Sequence, residues 1–214
     1  MIGPADLADA LADGLAAAAA TRDAEQSPFG IDALDETALH PLLADGLRAA
    51  GHAVHAEQRY PAARTERRRS RGERCDLVAC PEGRALRAPD DEPDLFAPAD
   101  AVDLADAAWV EVKTARVFHA DGPNGRYAAE LLGAPSEDIV RLATAEGIRH
   151  AFLAMVLFAR DEADARRDLA AFERTLRVEG LPVDVPRVRF VPIADRIGHA
   201  VAAVAVVQVQ RADP

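Results

Sequence analysis

The chain has 214 residues, 50 % of them hydrophobic, and a formal net charge of −11. That is enough apolar material for one sizeable core, so a single domain with appendages is expected rather than two full domains. On its face the acid excess argues against a nucleic-acid partner, and the longest apolar runs, Ala151 to Ala159 and Ala200 to Val207, are too short for a membrane span of about twenty residues.

Residues 5 to 20 read as an alanine-rich helix with Leu7, Leu11 and Leu15 at i+4 spacing, followed by a polar loop through Ser27-Pro28-Phe29-Gly30. Residues 1–31 are therefore taken as a helical accessory segment, and 32–214 as the main domain. A second helix is predicted from Asp35 to Ala50, with Leu39, Leu42, Leu43, Leu47 and Ala50 on one stripe and Gly51 as its stop. Pro41 lies inside it and is expected to kink or restart it, which leaves the direction of Glu36 and His40 open. An extended run through Val54, Glu57 and Tyr60 follows.

Arg74 to Cys80 alternates as a short strand, with Cys75, Leu77 and Ala79 on one face and Asp76, Val78 and Cys80 on the other. Residues 81–107 contain four prolines and, from Asp90 to Asp106, seven acidic residues without a basic one, which reads as a mobile acidic loop. The strand Ala108 to Thr114 comes next, then helices at Asn124–Leu132 and Ser136–Glu146, the latter with Ser136 as cap and Ile139 and Leu142 facing inward. Ala151 to Phe158 reads as a buried strand, Glu162 to Val178 as a charged helix, and Arg187 to Ile193 and Ala200 to Gln210 as two further strands. Met1 to Ala20 carries no Lys or Arg, so no secretory leader is expected, and Cys75 and Cys80 lie too far apart along one strand to pair. A soluble protein of a reducing, cytoplasmic compartment is the expectation.

Of the twenty-five basic residues only Lys113 is a lysine. Guanidinium is planar and always charged, whereas an ammonium is a compact charge whose pKa responds to burial, so the two are not interchangeable at a reactive centre. Glu111 lies two residues before Lys113, and a strand presents i and i+2 on one face, here with Trp109 in line. Charge is also unevenly spread. Arg64 to Arg74 holds six arginines against two glutamates, +4, which leaves −15 for the remainder.

Asp76, the triplet Glu111-Val112-Lys113 and the helical Glu36 resemble the PD-(D/E)xK nuclease superfamily over roughly residues 32–160. The resemblance implies an α/β, restriction-endonuclease-like core, a central mixed sheet flanked by helices, here with an N-terminal helix and C-terminal strands added. It implies an acidic residue on the second core strand beside an acidic-x-Lys triplet on the third. Asp76, Glu111 and the backbone carbonyl of Val112 would then hold Mg²⁺ or Mn²⁺, Glu36 would support them, and Lys113 would orient the attacking water. The activity implied is metal-dependent hydrolysis of phosphodiester bonds, DNA being the expected partner, in repair, recombination or defence. Hard cations with oxygen ligands suit that chemistry.

The pattern is not literal. Cys75 precedes Asp76, and the Pro-Asp dipeptide of the family name occurs at Pro93-Asp94, so Asp94 is the alternative first ligand; strand-like alternation favours Asp76. Glu57 is the reserve for Glu36. Arg64, Arg67, Arg68, Arg69, Arg71 and Arg74 are candidates to grip phosphates, with Arg141 of the Asp138–Arg141 helical pair behind them. The six histidines show no zinc spacing, and there is no phosphate-cradling glycine loop. The rival reading is a non-catalytic scaffold of the same fold in a nucleic-acid-processing complex, and a homodimer or partner protein is compatible with either.

Overall fold

Two stretches of nearly pure apolar residues, His150–Ala159 and Val201–Val209, run side by side at the centre of the molecule. Strands this apolar must be covered on both faces, and helices supply the cover. The computed structural model describes residues 2–61, 74–81, 84–87 and 101–211. In chain order its elements are α1 (Pro4–Ala24), α2 (Glu36–Ala49), β1 (Ala53–Arg59), β2 (Arg74–Cys80), the short β3 (Leu86–Arg87) and β4 (Val102–Asp103), then β5 (Ala108–Arg116). There follow the short β6 (Phe118–His119) and β7 (Gly122–Pro123), α3 (Tyr127–Leu132), α4 (Ala134–Thr144), β8 (His150–Ala159), α5 (Glu162–Val178), β9 (Arg187–Pro192) and β10 (Val201–Val209).

Six strands form one mixed sheet in the order β1-β2-β5-β8-β10-β9. Neighbours are antiparallel except for the central pair β5 and β8, which run parallel and are joined through α3 and α4. Side chains of β8 alternate between two cores: Leu153, Met155 and Leu157 face α4 and α5, while Phe152, Ala154 and Val156 face α1 and α2. The result is an α/β protein with a mixed six-stranded sheet between two helical layers.

The placement of α2 matters most for the site. Asp35 caps it, accepting the Ala38 N–H at 2.7 Å. The helix runs on through Pro41 without restarting, so Glu36 and His40, four residues apart, stay on one face. α1 crosses α2 at two glycines: a Cβ on Gly46 would lie 2.1 Å from the Ala10 carbonyl oxygen and 2.8 Å from the Gly14 Cα. Leu7, Leu11 and Leu15 of α1 are fully buried against α2 and the sheet, which builds the N-terminal helix into the layer. Before α2, the buried carboxylate of Asp32 lies 2.9 Å from His199 Nδ1, whose Nε2 accepts the Phe118 N–H at 3.1 Å. That tie fixes the entry to α2 against the start of β10.

Several local expectations are corrected. Ser136 does not cap α4, which begins at Ala134 with Gly133 before it; the Ser136 hydroxyl instead reaches Glu179 at 2.7 Å. The helix expected from Asn124 starts at Tyr127, because Asn124 is spent on loop hydrogen bonds to Arg116 and Arg126. Within 81–107 the described residues include a parallel β3-β4 pair and a helical turn at Leu104–Asp106; residues 82–83 and 88–100, Asp94 among them, lie outside the described residues. Cys75 does not share a face with Leu77 and Ala79: it packs in the opposite core with Val78 and Cys80, so the alternation of β2 breaks at Asp76. Both cysteines are free.

Candidate functional site

That break is where the site lies. The ladder between β2 and β5 pairs Ala79 with Ala108, Val78 with Trp109 and Leu77 with Val110, so the next step would oppose Asp76 to Glu111. Backbone pairing stops there. Instead the Asp76 carboxylate accepts the Val112 N–H at 2.8 Å, replacing a strand carbonyl and holding the two strands open around the two acids.

Burial raises the carboxyl of Asp76, against the lowering effect of the Val112 N–H. Burial, and then the charge of Asp76, push Glu111 up to about 7. The closeness of the two acids adds to the rise of Glu111, whose carboxyl is the one pushed furthest up. Glu111 Oε1 also accepts from the buried Tyr60 hydroxyl at 2.6 Å and lies 2.9 Å from the Arg141 guanidinium. Tyr60 is stacked on Trp109 with centroids 5.1 Å apart, which fixes its hydroxyl.

From Glu111 a chain of opposite charges crosses the molecule. Arg141 bridges to Asp138 Oδ1 at 2.5 Å, Asp138 Oδ2 lies 3.0 Å from Lys113 Nζ, and Lys113 reaches Glu36 Oε1 at 3.2 Å. The other oxygen of Glu36 accepts from both the N–H and the hydroxyl of Thr114 at 2.9 Å. Lys113 is thus gripped between α2 on one layer and α4 on the other. Burial alone would lower its ammonium, but the carboxylates of Glu36 and Asp138 outweigh it and raise it above the ordinary lysine range.

On the β1 side, donor atoms of His40, Glu57 and Asp76 all lie within 4.8 Å of one another. His40 Nε2 is 3.9 Å from Asp76 Oδ1, and that fully buried nitrogen has no hydrogen-bond partner among the described residues. Burial lowers the imidazole below its usual range, against the carboxylates of Glu36 and Glu57, which favours its neutral form. Glu57 holds a left-handed backbone, φ 55°, opposite Asp76 in the β1-β2 register. Two carboxylates and an orphaned neutral nitrogen suit a divalent cation.

The structure therefore gathers Asp76, Glu111, Lys113 and Glu36 into one site, with Glu36 bound to Lys113 and Thr114 and with Val112 contributing its N–H to Asp76. Arg141 turns toward Glu111 and Asp138. Arg74 is exposed at the start of β2, opposite Arg59; Arg64, Arg67, Arg68, Arg69 and Arg71 lie outside the described residues. Sequence reasoning had not placed His40, Tyr60 or Asp138 in the site. His40 was signalled by its i+4 spacing from Glu36, and Asp138 by its i+3 spacing from Arg141; Tyr60 carried no signal. Comparison of the chain with protein-family models, with curated proteins and with solved structures finds no match.

Proposed function

We propose that this protein is a divalent-metal-dependent nuclease of the PD-(D/E)xK type that hydrolyses phosphodiester bonds in DNA. The observation that carries the reading is the convergence of Asp76 on Glu111-Val112-Lys113 where β2 and β5 part. The chain order supports it: of the long strands, β2 bearing Asp76 is the second and β5 bearing Glu111 and Lys113 the third, followed by helices and the parallel β8.

Asp76 and Glu111 would hold Mg²⁺ or Mn²⁺, with His40 and Glu57 beside them. When bound, a divalent ion supplies Lewis acidity toward a phosphoryl oxygen. The protein's own groups do the rest. Tyr60 and Arg141 both hold the same oxygen of Glu111, Oε1, which leaves its other oxygen for a cation. Lys113, held protonated by Glu36 and Asp138, cannot act as a general base near neutral pH; it places a fixed positive charge beside the phosphate as negative charge develops. Its two carboxylate partners hold the ammonium in position before substrate arrives, which is where such electrostatic catalysis gets its strength.

The pairing of Lys113 with Asp138 and of Glu111 with Arg141 also suits a scaffold whose charged cluster only fixes the fold. Cleavage separates the two. Supercoiled, linear, branched and single-stranded DNA and RNA are incubated with Mg²⁺ or Mn²⁺ and either wild type or Lys113→Ala. Metal-dependent cutting, reduced about a hundredfold or more in a folded Lys113→Ala, is expected; equal inactivity of two folded proteins would turn the reading toward the scaffold.

A further inference from the structure

We infer that His40, Glu57 and Asp76 form a cation centre with a nitrogen ligand, selective for a first-row transition ion such as Mn²⁺ over Mg²⁺. The inference deepens the metal-dependent reading above, since Asp76 belongs to both groups. Three elements contribute one donor each: α2 gives His40, β1 gives Glu57 and β2 gives Asp76. All three belong to the packed body of the domain.

The acids alone would say little, because exposed carboxylates cluster on many surfaces. His40 is different. It is 7 % exposed, its Nε2 atom is buried without a hydrogen-bond partner among the described residues, and at 3.9 Å it stops short of a hydrogen bond to Asp76. Buried polar atoms are almost always satisfied, so an imidazole nitrogen beside the Asp76 carboxylate and left unpaired marks the place of a third party. In the tautomer protonated on Nδ1 that nitrogen presents a lone pair, and a cation accepts it. Glu57 adds to the case. Its left-handed backbone, φ 55°, is unusual for a non-glycine residue and falls at the position opposite Asp76.

Donor chemistry then chooses the ion. Mg²⁺ takes oxygen ligands and dehydrates reluctantly, whereas imidazole favours first-row transition ions, and two carboxylates keep Mn²⁺ within range. Donors within 4.8 Å of one another need only a slight contraction to reach the roughly 2.0 to 2.2 Å of a bound ion. The nitrogen thus turns a site that oxygen alone would leave open to Mg²⁺ into one that ranks Mn²⁺ and Co²⁺ above it.

The test is metal binding by the full chain, stripped of metal by chelation, with calorimetry and thermal shift against Mg²⁺, Ca²⁺, Mn²⁺ and Co²⁺. One Mn²⁺ or Co²⁺ per chain is expected to bind at least about tenfold more tightly than Mg²⁺. Pulsed electron paramagnetic resonance of the Mn²⁺ form should show coupling to a directly bound nitrogen. His40→Gln should remove that coupling and most of the preference, Glu57→Gln should weaken all four ions, and His55→Gln, an exposed histidine on the same strand, should change nothing. Equal affinity of the wild type for Mg²⁺ and Mn²⁺, or no nitrogen coupling in it, would overturn the inference even if His40→Gln failed to fold. Mn²⁺ bound through His40 without cleavage of any nucleic acid would leave the centre standing and remove the nuclease. Mg²⁺-driven cleavage undiminished in His40→Gln would do the reverse.

Discussion

Glu111 shows how one side chain sets the working range of a site. Burial and the charge of Asp76 push its carboxyl up to about 7, yet a cation needs it ionised. The proton and the metal therefore compete. Below about 7 the folded protein carries the proton and metal affinity should fall by up to roughly tenfold per pH unit; above it the dependence should flatten. Calorimetric titration with Mn²⁺ between about pH 5.5 and 8.5 checks this, and affinity independent of pH across that interval would remove Glu111 from the ligand set. The cysteines lead to a different expectation. Cys75 and Cys80 are both fully buried, and burial raises both thiols, Cys80 to about 11. Neither has thiolate character at neutral pH, so a thiol reagent should label the native protein negligibly and take up two equivalents after denaturation. Rapid native labelling would contradict the packing described for β2.

At the scale of elements, the site depends on how closely α2 is held. Gly14 and Gly46 let α1 and α2 touch backbone to backbone: a Cβ at Gly14 would lie 2.4 Å from the Leu42 carbonyl oxygen, and Leu42 is on the same helix as Glu36 and His40. Gly46→Ala forces the helices apart. Overpacking of this kind costs about 1–3 kcal/mol, and in a chain of this size that lowers the melting temperature by roughly 2–4 °C per kcal/mol. Because α2 carries His40, Mn²⁺ affinity should fall together with stability in a thermal-shift titration. The reach of sequence reading is visible in these same elements. Strand β2 and helix α5 are legible at their observed bounds, since both are set by residues close to them in sequence. Less legible is the loss of alternation at Asp76. It arises because the side chain takes a hydrogen bond from β5, thirty-six positions away, and no local period reports that. The same holds for Tyr60, which becomes part of the site through a stacking partner and an acid about fifty positions on. Pro41 is a weaker helix breaker than its residue type suggests: the apolar stripe of Leu39, Leu43 and Leu47 packs α2 tightly enough to carry the helix past one missing hydrogen bond.

For the whole molecule, the question is how a chain of net charge −11 would approach a polyanion. Many arginines of the described residues are already paired: Arg160 and Arg167 with Asp164, Arg177 with Glu173, Arg189 with Asp9 and Arg196 with Asp23. Those pairs neutralise surface charge and offer little to phosphate. The stretch from Arg64 to Arg74 is the counterweight, with a sequence charge of +4 against −15 elsewhere, and its far end, Arg74, stands two residues from Asp76. Under the proposed function DNA would be drawn to that end of the molecule and repelled by the rest. Such binding must be weak and steeply dependent on salt. Replacing Arg67, Arg68 and Arg69 by serine should lower affinity about equally for unrelated duplex sequences and reduce the slope of log affinity against log salt by up to roughly 0.9 for each phosphate left without its arginine. Fluorescence anisotropy with two unrelated duplexes across a salt series measures both quantities. An unchanged slope would mean that these arginines meet no phosphate.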